Sequence, residues 1–154
     1  MLASLLFLIQ SATPKEIHVT VDGIDRLAYA MAPSKPSAKP PVLLMFHGHG
    51  GSAERCMVRF SVEKRWPEAV VVYCDGLPIR TGGGMGKGWE LDTIEQNRDI
   101  RFVDALLPKV LSRFHAMPRR FLRGASQTAE CLCTRYGRYG RINSPHFVRQ
   151  ALVS

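Results

Sequence analysis

Val42-Leu43-Leu44-Met45-Phe46-His47-Gly48-His49-Gly50-Gly51 is the stretch on which the fold turns. Its first five residues form an unbroken apolar run, preceded by Pro40-Pro41 and followed by glycines. A short apolar run bounded by turn residues marks a strand buried on both faces. Ala69-Val70-Val71-Val72-Tyr73 repeats the pattern. Between the two, Ser52 is placed to cap a helix running through about Lys64. A second helix is predicted from Asn97 or Asp99 to Phe114, where Ile100, Val103, Leu106, Leu107, Val110 and Leu111 fall at helical spacing. Pro108 inside it predicts a kink or a fresh start. Arg120–Leu122 then begins another strand. Strand, helix, strand, helix, strand in this order predicts an α/β domain built on a mostly parallel sheet flanked by helices. Upstream, Glu16–Val21 and Leu27–Met31 read as the arms of a hairpin about Asp22-Gly23. The proline-rich segment Ala32–Pro41 connects that hairpin to the buried strand.

A chain of 154 residues is one small domain or a piece of a larger one. Its net charge is +8, and the excess is local: residues 118–154 hold seven arginines against the single acid Glu130. Residues 1–12, MLASLLFLIQSA, carry a short apolar core followed by small residues and predict an export signal, hence a secreted protein. No run of 18 apolar residues follows, so no membrane partner is expected after signal removal. The expected organisation is a signal over 1–12, a domain over 16–123 and an aberrant basic tail over 124–154. Cys56, Cys74, Cys131 and Cys133 include no C-x-x-C pair of the zinc-binding kind, and their spacing leaves a Cys56–Cys74 pairing open.

The chemistry begins at His47–Gly51. Glycines directly after a buried strand let the backbone turn sharply and present amide N–H groups above the strand's carboxyl end, an arrangement that can serve as half of an oxyanion hole. Gly48-x-Gly50-x-x-Ala53 also fits a loose dinucleotide fingerprint, but Asp75, the acid ending the next strand, comes 25 residues after Gly50 and not about 20. His47 and His49 form an H-x-H pair without a further ligand set, so no metal is expected. The second glycine cluster, Gly82–Gly88, lacks the glycine and the hydroxyl residue that a phosphate-binding loop places at Thr81 and Gly88, and is predicted to be a flexible surface excursion.

Taken together, PVLLMFHGHGGSAE, VVVYCDGLP, Gly88-Trp89, RDIRFVDALLPKV and MPRRFLRGAS resemble the secreted α/β-hydrolase esterases of the polyhydroxybutyrate depolymerase-like and feruloyl esterase-like kind. The resemblance spans roughly residues 16–126, with five segments in the family's order. It implies the N-terminal part of an α/β-hydrolase fold and a serine esterase without cofactor. The implied substrate is a polyester or a plant-polysaccharide acyl ester. By position, Ser126 takes the nucleophile's place, His49 and Gln127 offer the oxyanion-hole amides, Trp89 lies by the substrate cleft, and Asp75 is structural.

The chain departs from that pattern at the elbow. Gly124-Ala125-Ser126-Gln127-Thr128 has threonine where G-x-S-x-G needs glycine. Beyond Ser126 there is no Asp, and the only His is His146, so the triad's orienting acid and base are missing and catalysis by this chain is not expected. Codons for Gly124–Thr134, read two nucleotides out of frame, spell Gly-Phe-Ser-Asn-Gly-Gly-Val-Phe-Val-Tyr with ordinary choices at the free bases. The elbow of the family thus reappears in a shifted frame, and the residues from about 123 onward are expected to be translated from the wrong one. A nucleic-acid-binding tail is the alternative from a different class, suggested by Tyr136 and Tyr139 among arginines. A random basic run from the shifted frame accounts for the same residues, and no nucleic acid is expected.

Overall fold

The structure is a computed structural model and describes residues 13–35, 38–90 and 97–116, together with the backbone of 121–124. The expected signal segment and the tail beyond Gly124 lie outside the described residues.

β1 (Lys15–Val21) and β2 (Ile24–Met31) pair antiparallel from Lys15↔Ala30 to Val21↔Ile24. Asp22 and Gly23 both have positive φ, 52° and 76°, the conformation a two-residue hairpin turn demands. β3 (Val42–Phe46) and β4 (Val70–Cys74) are buried at every position and run parallel, Val42 opposite Val70 and Phe46 opposite Cys74. β4 also pairs antiparallel with β2, and β7 (Phe121–Gly124) pairs parallel with β3 on its other side. The sheet therefore has the order β1-β2-β4-β3-β7 and is mixed, with its parallel part at β4, β3 and β7. Side chains alternate across it. Val42, Leu44, Phe46, Val70, Val72 and Cys74 pack with Ile100, Val103, Leu106 and Val110 of α3 (Arg98–Phe114). Leu43, Met45, Val71 and Tyr73 pack instead with Ala53 and Cys56 of α1 (Ala53–Phe60). Each such buried aliphatic side chain contributes roughly 1.5–3 kcal/mol relative to exposure, which is why a strand clothed on both faces has no polar positions.

The two helical expectations fare differently. α3 begins where the cap dictates: the Asn97 side chain accepts hydrogen bonds from the amides of Asp99 and Ile100. It runs unbroken through Pro108, which lies on the solvent face and removes no buried hydrogen bond. The helix expected from Ser52 to Lys64 is interrupted. Ser52 caps α1 as predicted, but Ser61 takes the left-handed conformation (φ 42°), and a separate turn, α2 (Val62–Arg65), follows. The Ser61 hydroxyl donates to the Met57 carbonyl, while the buried Tyr73 hydroxyl accepts the Val62 amide at 3.0 Å and donates to Glu63 at 2.7 Å. A tertiary anchor for an otherwise stranded tyrosine hydroxyl overrides continuous helix here.

Residues 75–98 contain the second correction. The glycine-rich part is no loose excursion but a two-stranded antiparallel hairpin, β5 (Leu77–Thr81) with β6 (Gly84–Gly88), in register from Leu77↔Gly88 to Thr81↔Gly84. Glycine weakens a strand unless a neighbouring backbone needs the space, and at β6 it does.

The thiols of Cys56 and Cys74 are free and buried, on opposite faces of the sheet. No helix among the described residues is long and apolar enough to cross a membrane.

Candidate functional site

At the carboxyl end of β3 the chain enters His47-Gly48-His49-Gly50-Gly51, and the neighbouring elements clamp it. The buried His47 ring bonds in two directions. Its Nδ1–H donates to the Gly48 carbonyl at 2.7 Å, and its Nε2 accepts the Gly76 amide at 2.9 Å. That pair of bonds assigns the neutral tautomer with the proton on Nδ1. The His47 carbonyl accepts the indole N–H of Trp89 at 2.8 Å. Trp89, expected beside a substrate cleft, is 0% exposed; its ring stands edge-on to Phe46 at 5.0 Å and tilts against His47 at 5.2 Å. Its place is under the loop, as a brace.

The loop's amides are then distributed. Gly50, at φ 74°, donates to the Lys87 carbonyl at 2.8 Å, and Gly51 donates to Gly48 at 3.0 Å. The Ala53 amide, opening α1, donates to Asp75 Oδ1 at 3.0 Å. The His49 amide has no acceptor among the described residues. The His49 side chain is exposed, with Nε2 3.2 Å from the Thr81 hydroxyl on β5. A side chain at Gly86 would meet the Gly50 Cα and the His49 ring at 3.1 Å, so β6 is glycine where it presses on the loop.

Asp75, at the end of β4, ties these parts together. Oδ1 takes the Ala53 amide and Oδ2 the Lys87 ammonium. Burial alone would raise its pKa, but the Lys87 ammonium and the Ala53 amide outweigh that and hold the carboxyl at about 2. The buried Arg26 pairs with Asp99 at 2.6 Å over the Phe102 ring, and the other Asp99 oxygen accepts the amide of Glu90.

Other chemistry is poorly served. Burial pushes the Cys56 thiol up to about 11 and the Cys74 thiol upward as well, so neither is a thiolate nucleophile at neutral pH. Among the described residues no cluster of three or more His, Cys, Asp or Glu could hold a metal ion.

Of the residues singled out in the sequence, His49, Trp89 and Asp75 come together around one loop. Ser126 and Gln127 lie outside the described residues. β7 nevertheless brings Gly124 opposite Met45, parallel to β3, so the chain reaches Ala125-Ser126 from the strand beside the loop's own. Sequence reasoning missed Lys87, Thr81 and the side chain of His47. Lys87 carried one faint signal, a lone cation between two glycines, whose meaning depends on a contact across the fold.

No family model matches the chain, and no curated protein matches it. Solved structures do. A thermostable carboxylesterase cloned from a metagenomic library superposes with a TM-score of 0.55 at 21% identity, over 83% of this chain and 44% of that one. An S-formylglutathione hydrolase from Agrobacterium tumefaciens gives 0.62 at 17% identity, over 82% of this chain and 54% of that one. A fungal esterase from Rhizomucor miehei gives 0.52 at 18% identity, over 83% and 38%. The chain thus spans about half the length of the first two structures. At these identities the likeness speaks for architecture: over its described residues the chain has the N-terminal part of an α/β-hydrolase fold.

Proposed function

We propose that the loop His47–Gly51 is the oxyanion-binding half of a serine carboxylic-ester hydrolase, exported and of the polyhydroxybutyrate depolymerase-like or feruloyl esterase-like kind. One observation carries the reading. The His49 amide stands without an acceptor among the described residues, in a clamped loop at the carboxyl end of β3, and the adjacent strand β7 ends at Gly124, two residues before Ser126 in the sequence. In the complete constellation a serine at that position attacks the ester carbonyl, a base takes its proton, and the amides at His49 and Gln127 hold the tetrahedral oxyanion. One such donor is worth about 10²–10³ in kcat. The acyl-enzyme is then hydrolysed by water.

Between Ser126 and Ser154 the sequence has no Asp and only His146, and Thr128 stands where G-x-S-x-G has glycine. We therefore expect these 154 residues to polarise an ester without turning it over. Hydrolysis of p-nitrophenyl acetate should proceed equally in the wild type and in Ser126→Ala. A serine-dependent burst of nitrophenol would overturn the expectation of inactivity. The polarising half is tested separately by titrating the 15N-labelled chain with phenylphosphonate, a tetrahedral anion. The His49 amide resonance should move more than that of Gly50, whose proton is already bonded; no movement at His49 removes the esterase reading. Genomic sequence encoding the elbow in the shifted frame would establish the origin of the tail, and an uninterrupted in-frame relative of the tail would refute it.

A further inference from the structure

Lys87 bears on the loop twice, directly at Gly50 and through Asp75 at Ala53 just beyond it. Its carbonyl accepts the Gly50 amide at 2.8 Å, and its ammonium pairs with Asp75, whose other oxygen accepts the Ala53 amide at 3.0 Å. Asp75 has a side chain only 14% exposed, so the charge on Lys87 meets a carboxylate largely withdrawn from water. Partial burial makes such a pair stronger than one at the open surface. The hairpin carrying Lys87 reaches the loop only because Gly86 has no side chain to hold it off.

From this geometry we infer that Lys87 is a positioning residue for the oxyanion loop. It consumes the Gly50 amide and, through Asp75, fixes the Ala53 amide, while the His49 amide stays unbonded and open to an anion. The inference rests on the reading of the loop given above, yet the clamp itself is measurable without turnover. Removing the ammonium while keeping the stem frees the hairpin's register over the loop, although the carbonyl remains. Lys87 needs to contact no substrate for this, since it acts through Gly50 and Asp75.

Amide hydrogen exchange on the 15N-labelled full chain reads the clamp. Lys87→Met should speed exchange at Gly50 and Ala53 about tenfold while leaving β3 and β4 amides near their original rates. It should also diminish the phenylphosphonate-induced shift at His49. Lys87→Arg, which keeps the charge, should restore both, and Arg80→Met on the same hairpin should change neither. Unchanged exchange at Gly50 and Ala53 in Lys87→Met overturns the inference. So does an equal acceleration across the whole sheet, which would mean general loosening. Lys87-dependent protection at Gly50 together with a wild-type His49 resonance indifferent to phenylphosphonate would uphold the clamp and discard the esterase reading.

Discussion

Two glycine-rich segments press against each other in this molecule, and they use glycine for opposite reasons. In His47–Gly51 the residue that matters is Gly50, whose φ of 74° is a conformation that L side chains resist, while the space around it is open. In β6 the residue that matters is Gly86, whose backbone is ordinary extended strand but whose missing side chain leaves room for Gly50 and the His49 ring. One glycine is there for an angle and the other for a gap. Composition cannot tell them apart, and only the first is read correctly from sequence.

Substitutions separate the two cases, beginning with the most damaging. A Cβ at Gly76 would lie 2.5 Å from the Gly88 carbonyl oxygen, a backbone atom on the partner strand. Gly76→Ala should therefore cost about 3 kcal/mol in urea unfolding, the upper end for overpacking a rigid contact. A loss under about 1 kcal/mol would show that β5 and β6 meet more loosely than described. Next comes the electrostatic tie between the segments. Asp75, held at about 2 against an ordinary value of 3.8, stabilises the fold fully above its unfolded-state pKa and loses that contribution as pH falls through about 2. Asp75→Asn should cost roughly 1–2 kcal/mol at neutral pH, after allowing for solvent screening, and should flatten the acid limb of the stability profile. An unchanged acid limb would count against the Asp75–Lys87 tie. Smallest, and sharpest, is a paired comparison at Gly50 and Gly86. Alanine at either should cost about 1 kcal/mol. Asparagine should recover part of the loss at Gly50, because it tolerates the left-handed region, and should worsen it at Gly86, where volume is the objection. Equal responses to asparagine at the two sites would dissolve the distinction between them.

The same contrast explains how much of the fold was legible. β3 and β4 announced themselves because burial on both faces forces an unbroken apolar run, and the β1–β2 turn because Asp22-Gly23 suits two positive φ angles. α3 was legible from its apolar stripe and from Asn97 as cap. The break at Ser61 was not, because its cause is Tyr73, a residue 12 positions on that needs partners for its hydroxyl. β6 was hidden because Gly84-Met85-Gly86-Lys87-Gly88 offers almost no side chains from which a strand period could be read. At the site, the glycine turn after β3 was legible from strand-then-glycine order, whereas His49 was singled out only through the family resemblance. Trp89 was noticed yet given a cleft, whereas its indole N–H needed a buried acceptor and found the His47 carbonyl. Lys87 was read only within a rejected phosphate-loop pattern, since a charged residue flanked by glycines looks like exposed turn until its partner Asp75 is seen across the hairpin.

The positions of Cys56 and Cys74 have a consequence for durability. One thiol sits under α1 and the other on the α3 side, with the sheet as a wall between them. An oxidising compartment offers this domain no internal staple through that pair: linking them would mean breaching the hydrogen-bonded layer that organises everything else. Among the described residues these layers are held by close packing, hydrogen bonds and ion pairs, all as indifferent to reductant as to oxidant.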